Sequence, residues 1–136
     1  MNYTPHHIAI SVRNLEASKK FYETLGFKQV HEYAEKDGSM KIAHLKLGSF
    51  FLEVFAYTKN EETAKPILEY ANNLEEVGVK HLALSTENIE EALKDLQEKG
   101  LATDETQITY GETSVKYFFI QDPDGIWVEF VKDERY

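Results

Sequence analysis

The stretch His81–Leu101, HLALSTENIEEALKDLQEKGL, repeats His7–Phe27, HIAISVRNLEASKKFYETLGF, without a gap. The offset is constant at 74 (81 − 7 = 74), and seven of the 21 aligned positions are identical: His, Ala, Ser, Asn, Glu, Lys and Gly. An internal repeat decides architecture before any local propensity does. Each copy alternates at its start, with Ile8, Ile10 and Val12 on one face and His7, Ala9 and Ser11 on the other. Alternation of that kind is a strand with one apolar side. Asn14 then offers an N-cap, Leu15, Ser18, Phe21, Tyr22 and Leu25 recur at helical spacing, and Gly26 can stop the helix. The second copy reads the same way, with Leu82 and Leu84 behind His81 and Ala83, a stripe of Ile89, Ala92, Leu93 and Leu96, and Gly100 as the stop.

Working outward, the first copy is followed by a polar, edge-like strand over Lys28–Glu35 and a turn at Asp37-Gly38. Strands over Met40–Leu47 and Phe50–Ala56 come next. After the second copy, Leu101 to Ile108 holds a weak strand at best, whereas Val115–Gln121 and Trp127–Lys132 are strong. Between those two, Asp122-Pro123-Asp124-Gly125 is a turn in which Pro presets φ and Gly accepts a positive φ. Residues 57–76 form a charged linker, where Pro66 can open a short helix and the segment can lid a pocket. Each half therefore reads as β-α-β-β-β.

Bulk properties bound the function. The 136 residues suit one domain, 42% hydrophobic and 29% charged, which is a globular composition. A formal net charge of −9, from 24 acidic and 15 basic residues, argues against nucleic acid, which requires a basic face. With no cysteine there is no thiolate chemistry, disulfide or zinc–sulfur site. No apolar run reaches the roughly 18 residues of a membrane helix, and MNYTPHHIAI lacks the pattern of a signal peptide. The chain reads as cytoplasmic, with a small molecule rather than a membrane as its partner.

Glu53 and Glu129 correspond at an offset of 76 (129 − 53 = 76), each mid-strand in an apolar run, LEVF and VEFV. A carboxylate there is costly unless paired or bound to a cation. A single strand-initiating histidine is ordinarily structural, and a single mid-strand glutamate ordinarily faces solvent. Two of each at repeated positions point instead to one ion held by His7, Glu53, His81 and Glu129. Two imidazoles and two carboxylates suit one divalent ion, Zn or Ni first, then Co, Mn or Fe. Four protein ligands leave positions open for substrate on a six-coordinate ion. Phe51, Phe55 and Trp127 share the glutamates' strand faces and would form an apolar wall. His6 falls on the opposite face from His7 by alternation. His31 and His44 have no repeat partner and read as surface or pocket residues, and the acidic pairs at 61–62, 75–76 and 90–91 as solvated surface.

The segments HIAISV-x-NLEASKKFYETLGF, LEVF, HLALSTENIEEALKDLQEKG and FFIQDPDGIWVEFV resemble the vicinal oxygen chelate superfamily, which includes glyoxalase I, fosfomycin-resistance proteins, extradiol dioxygenases, methylmalonyl-CoA epimerase and bleomycin-resistance proteins. The resemblance implies an α+β fold: two βαβββ modules forming an open, cupped sheet around one metal, with helices on the convex side. One such domain would occupy residues 1–136, as module 1 over about 1–57, a linker over about 58–76 and module 2 over about 77–136. It also places His7, Glu53, His81 and Glu129 on the family's ligand positions. The full set is most similar to bacterial glyoxalase I, a lactoylglutathione lyase. Dioxygenases and fosfomycin-resistance proteins use two His and one Glu, epimerases commonly carry Gln at position 53, and bleomycin binders lack the set. The implied activity is lyase/isomerase chemistry on a thiol hemithioacetal of a 2-oxoaldehyde, by proton transfer through an enediolate. Glu129 would be the displaceable base and Glu53 the group that returns the proton. Glutathione-dependent members commonly have Arg and Asn where this chain has Ser11 and Tyr57. Neither residue reproduces a bidentate contact to a carboxylate, so these two positions line a substrate site without specifying glutathione. A homodimer is implied, and the modules of such proteins pair within a chain or between chains. The other readings of the same cup are a non-catalytic binding or antibiotic-resistance protein, a thiol transferase and a dioxygenase.

Overall fold

Two asparagines start the two helices of the computed structural model, which describes residues 1–62 and 74–135. Asn14 Oδ1 accepts from the Ala17 N–H at 3.0 Å to cap α1 (Leu15–Thr24). Asn88 Oδ1 accepts from the Glu91 N–H at 3.1 Å to cap α2 (Ile89–Glu98). Each satisfies one of the donors that a helix start leaves without an intrahelical partner. The ends match as well. Gly26 and Gly100 take positive φ, of 100° and 72°. The next residues fold back so that Phe27 N–H donates to Tyr22 O and Leu101 N–H to Leu96 O. That pairing is the Schellman closure, which the sequence predicts from glycine at C′.

The described elements run β1 (His7–Val12), α1, β2 (Lys28–Ala34), β3 (Met40–Leu47), β4 (Phe50–Tyr57), then β5 (Leu82–Ser85), α2, β6 (Thr109–Tyr110), β7 (Lys116–Gln121) and β8 (Trp127–Lys132). The chain divides into two compact units, Met1–Pro66 and Ile67–Tyr136. Each carries one βαβββ set and one four-stranded mixed sheet, ordered β1-β4-β3-β2 and β5-β8-β7-β6. The first strand of each set pairs parallel with the last, and the other pairings are antiparallel. Two helices with two such sheets make the α+β fold of two modules that the repeat implies.

Alternation sorts the faces as expected. In the first unit Leu45, Leu52 and Val54 are fully buried and share a core with Leu15, Phe21, Tyr22 and Phe27 of the helical segment. In the second, Phe118, Ile120, Val128 and Phe130 do the same with Ile89 and Leu96. The Phe118 and Phe130 rings stack at 5.1 Å. The opposite faces are the ones that hold Glu53 and Glu129, both half-buried.

Several expectations need adjustment. β5 begins at Leu82 rather than Lys80, so His81 stands just before it. Residues 101–108 form no strand, and the short strand β6 lies beyond them at Thr109–Tyr110. A single helical turn of the 3₁₀ type occupies Thr58–Asn60, at the start of the proposed linker. The helix expected at Pro66, and any lid it would form, lie outside the described residues. Among the described residues no helix is long and apolar enough to cross a membrane.

The Asp122–Gly125 turn is tied down by its first residue. Asp122 is 5% exposed, and its Oδ1 accepts from the Asp124 and Ile126 N–H groups, each at 2.9 Å. Gly125 takes φ +82°, and its N–H donates to Asp122 O. This turn delivers Trp127, and with it Glu129, onto β8. Asp122→Ala strands two backbone donors and is expected to cost roughly 2–4 kcal/mol, read as a lower denaturant midpoint at unchanged slope. The buried Ser18 Oγ has no hydrogen-bond partner among the described residues, and the repeat places Ala92 at the equivalent position (18 + 74 = 92). Ser18→Ala is expected to raise stability by about 1 kcal/mol. A loss of stability on the same measurement would show that the hydroxyl has a partner.

Candidate metal and active site

In the second unit the parallel pairing sets Ala83 beside Glu129. His81, two residues before Ala83, turns its ring to the same face. Its Nε2 lies 2.9 Å from Glu129 Oε2, with the two side chains 29% and 15% exposed. The other ring nitrogen, Nδ1, is buried without a hydrogen-bond partner among the described residues. The imidazole therefore commits its polar edge to the Glu129 side alone. One apolar ring meets it: Phe119 lies edge-on to His81 at 5.2 Å, and Phe119 in turn meets Trp127 edge-on at 5.7 Å. A cavity of about 500 Å³ opens beside Phe119 and Trp127, floored by Leu101 and Ala102 and rimmed by the polar Thr103, Thr106, Gln107 and Gln121.

The first unit repeats the backbone but not the contacts. β1 and β4 set Ala9 beside Glu53, the same register as Ala83 beside Glu129. Glu53 nevertheless bonds to His44, whose Nε2 lies 2.7 Å from Glu53 Oε2. His44 is directly opposite Glu53 across the β3–β4 ladder, and His31 is opposite His44 across β2–β3. The three form one lateral row, with the His31 and His44 rings 5.8 Å apart. His7 instead meets His6, Nδ1 to Nδ1 at 2.9 Å, so one of the two nitrogens donates and the other accepts. The His6 ring stacks on Phe51 at 5.0 Å.

Two sequence expectations change here. Alternation puts His6 on the face away from His7, but β1 starts at His7 and His6 precedes the regular strand. Its ring swings round to His7 and Phe51. His44 is no incidental surface or pocket residue, because it is the hydrogen-bond partner of Glu53. The repeat carries no signal for it: the residue opposite Glu129 is Phe119. Phe119 itself is a wall residue that the sequence reading passes over in favour of Trp127.

Among the residues expected to line a substrate site, Phe51, Phe55 and Trp127 are half-buried on the glutamates' faces. Lys46 Nζ sits 5.5 Å over the Phe51 ring. Ser11 is exposed on β1 beside Phe55, and Tyr57 ends β4 with Lys59 Nζ 5.7 Å over its ring. Neither Ser11 nor Tyr57 brings a guanidinium or a carboxamide.

The donor chemistry fits a divalent ion. Two ligands at right angles, each about 2.1 Å from a first-row ion, stand about 3 Å apart. The 2.9 Å between His81 Nε2 and Glu129 Oε2 is therefore a separation at which the pair can share a proton or a cation. His7 has its Nδ1 engaged by His6, so Nε2 is the nitrogen that could hold an ion. Within either unit, no three described His, Asp or Glu side chains gather closely enough to hold an ion alone. The second unit brings the pair His81 and Glu129 together, whereas in the first unit His7 and Glu53 are engaged by His6 and His44 instead.

Comparison with known proteins agrees with this fold. The Glyoxalase/Bleomycin resistance protein/Dioxygenase superfamily model matches residues 4–130. The chain is 34% identical over 127 residues to the uncharacterized protein YwkD of Bacillus subtilis, covering 91% of this chain and 92% of that one. It is similar in structure to a glyoxalase family protein from Enterococcus faecalis, with TM-score 0.75, 33% identity and coverage of 94% and 96%. The lactoylglutathione lyase of Schizosaccharomyces pombe is 26% identical over 141 residues, and the chain spans 46% of its length. With its family model matched along nearly the whole sequence and its βαβββ set present twice, this chain belongs to the glyoxalase/bleomycin resistance protein/dioxygenase superfamily.

Proposed function

We propose that this protein is a metal-dependent lyase/isomerase of the glyoxalase I type, acting on the hemithioacetal formed by a thiol and a 2-oxoaldehyde. The observation that carries the reading is the repeated register, Ala9 beside Glu53 and Ala83 beside Glu129, with a histidine two residues before each alanine. Superfamily members commonly bind a metal ion. Here His7, Glu53, His81 and Glu129 would be the ligands of one divalent ion, zinc or nickel, with the units of one chain or of a homodimer contributing them. Such an ion would supply Lewis-acid chemistry, acidifying the C–H of the hydroxyl-bearing carbon next to the substrate carbonyl.

The protein's own groups do the rest. Glu129 would take the proton from the hydroxyl-bearing carbon, and Glu53, having taken up the substrate's hydroxyl proton, would pass it to the adjacent carbon; Glu129 would then give its proton to the oxygen on that carbon, so both carboxylates end as they began. Phe119 and Trp127 keep water from Glu129, and Phe51 and Phe55 line the other side. The thiol is a further question of recognition. Ser11 and Tyr57 offer no bidentate partner for a carboxylate, which favours a thiol other than glutathione.

The test combines metal analysis with isomerisation assays using several thiols. The purified protein is expected to carry one zinc or nickel per four-ligand set, to lose activity on chelation and to regain it when either metal is returned. The metal-loaded protein should also unfold at a higher temperature than the stripped one, because binding favours the folded state. Glu129→Gln should fold normally and lower kcat by about 10²–10⁴-fold, the range of a positioned general base. Ligand binding without turnover of any hemithioacetal would instead identify a binding protein.

A further inference from the structure

We propose that His44 is a positioning residue that holds the Glu53 carboxylate ready for the ion. The proposal rests on the reading of Glu53 as an ion ligand and adds to it a residue with no counterpart in the second unit.

His44 Nε2–H donates to Glu53 Oε2 at 2.7 Å, and a carboxylate can only accept. The two residues face each other directly across an antiparallel ladder, where side chains on one face approach most closely. His44 has little freedom to withdraw. Its neighbours Ala43 and Leu45 are fully buried on the opposite face, which fixes the backbone beneath it. The side chains are 37% and 24% exposed, so the bond is partly shielded from competing water.

The bond occupies one of the two carboxylate oxygens and sets the rotation of the group. Oε1 remains, with its direction fixed before any cation arrives. An unrestrained glutamate side chain loses rotamer freedom when it becomes a ligand. Glu53 has already lost it. Hydrogen bonds to ligating groups of this kind are typically worth about 10–100-fold in metal affinity.

The second unit supplies an internal control. Opposite Glu129 stands Phe119, which has no donor. The partner of Glu129 is His81, itself a proposed ligand. The duplicated backbone thus carries one carboxylate held from outside the ligand set and one that is not.

The experiment titrates metal-free, full-length protein with Co²⁺ and Zn²⁺ against a chromophoric chelator. It compares wild type with His44→Phe, His44→Gln, Glu53→Gln and the double variant His44→Phe/Glu53→Gln. His44→Phe, which copies the second unit, is expected to weaken binding about 10–100-fold and to shift the visible Co²⁺ absorption band. His44→Gln retains an N–H donor and should recover most of the loss. In the Glu53→Gln background His44→Phe should have no further effect, because it acts through Glu53. The proposal is overturned by wild-type affinity and an unchanged band in His44→Phe, or by an equal loss in both backgrounds. A loss that Gln does not rescue, with a lower unfolding midpoint in the absence of metal, would also overturn it. Wild-type protein that binds no ion, or Glu53→Gln with unchanged affinity, removes the ion reading and the clamp together. Dependence on Glu53 with indifference to His44 removes the clamp alone.

Discussion

Everything at the candidate site depends on the parallel pairing of the first strand of each unit with its last. β1 lies beside β4 and β5 beside β8, in the same register. Parallel neighbours need a crossover, and in both units it passes through a helix and a pair of antiparallel strands. The return sets the start of the unit beside its end, and in the second unit it brings His81 to Glu129. A slip of one residue would turn Glu53 or Glu129 into the helix-covered core. Leu52 and Val54, and Val128 and Phe130, prevent that slip, because moving them into solvent would forfeit their burial while burying a carboxylate.

The helices serve the site indirectly. Each covers one face of its own sheet, and the carboxylates and imidazoles lie half-solvated on the other. This explains why the helix stripe diverged so freely between the copies while the caps did not. Asn14 and Asn88, and Gly26 and Gly100, fix where each helix starts and stops. The intervening residues need only present an apolar stripe of adequate volume, as Phe21 and Tyr22 do in one copy and Leu96 in the other.

That division also accounts for how far the sequence could be read. Faces follow from period-two alternation, and alternation is local, so Glu53, Phe51, Phe55 and Trp127 could be placed from sequence alone. The repeat singles out His7 and His81 as candidate ligands. His44 did not, because its value comes from standing opposite Glu53, and cross-strand partnership depends on the register set by the turn at Gly48-Ser49. Phe119 was hidden for the same reason. His6 was misplaced because alternation holds only inside a strand, and β1 begins one residue later. The segment over 101–108 carried too little periodicity to be assigned, and it borders the cavity beside Trp127 instead of entering the sheet.

The two half-sites have kept their backbone and exchanged their surroundings. Around Glu53 stand imidazoles, His44 bonded to it and His31 behind. Around Glu129 stand the rings of Phe119 and Trp127, with His81 as its polar contact. A carboxylate fixed by an outside donor keeps its direction whether or not a ligand is present. One whose partner is itself a proposed ligand must rearrange whenever that partner does. The histidines differ in the same sense: His7 has its second nitrogen engaged by His6, whereas the second nitrogen of His81 is buried and unpartnered among the described residues. Duplication alone would have produced two equivalent carboxylates. Substitutions on the neighbouring strands, at positions 44 and 119, make the two carboxylates different without disturbing the shared register.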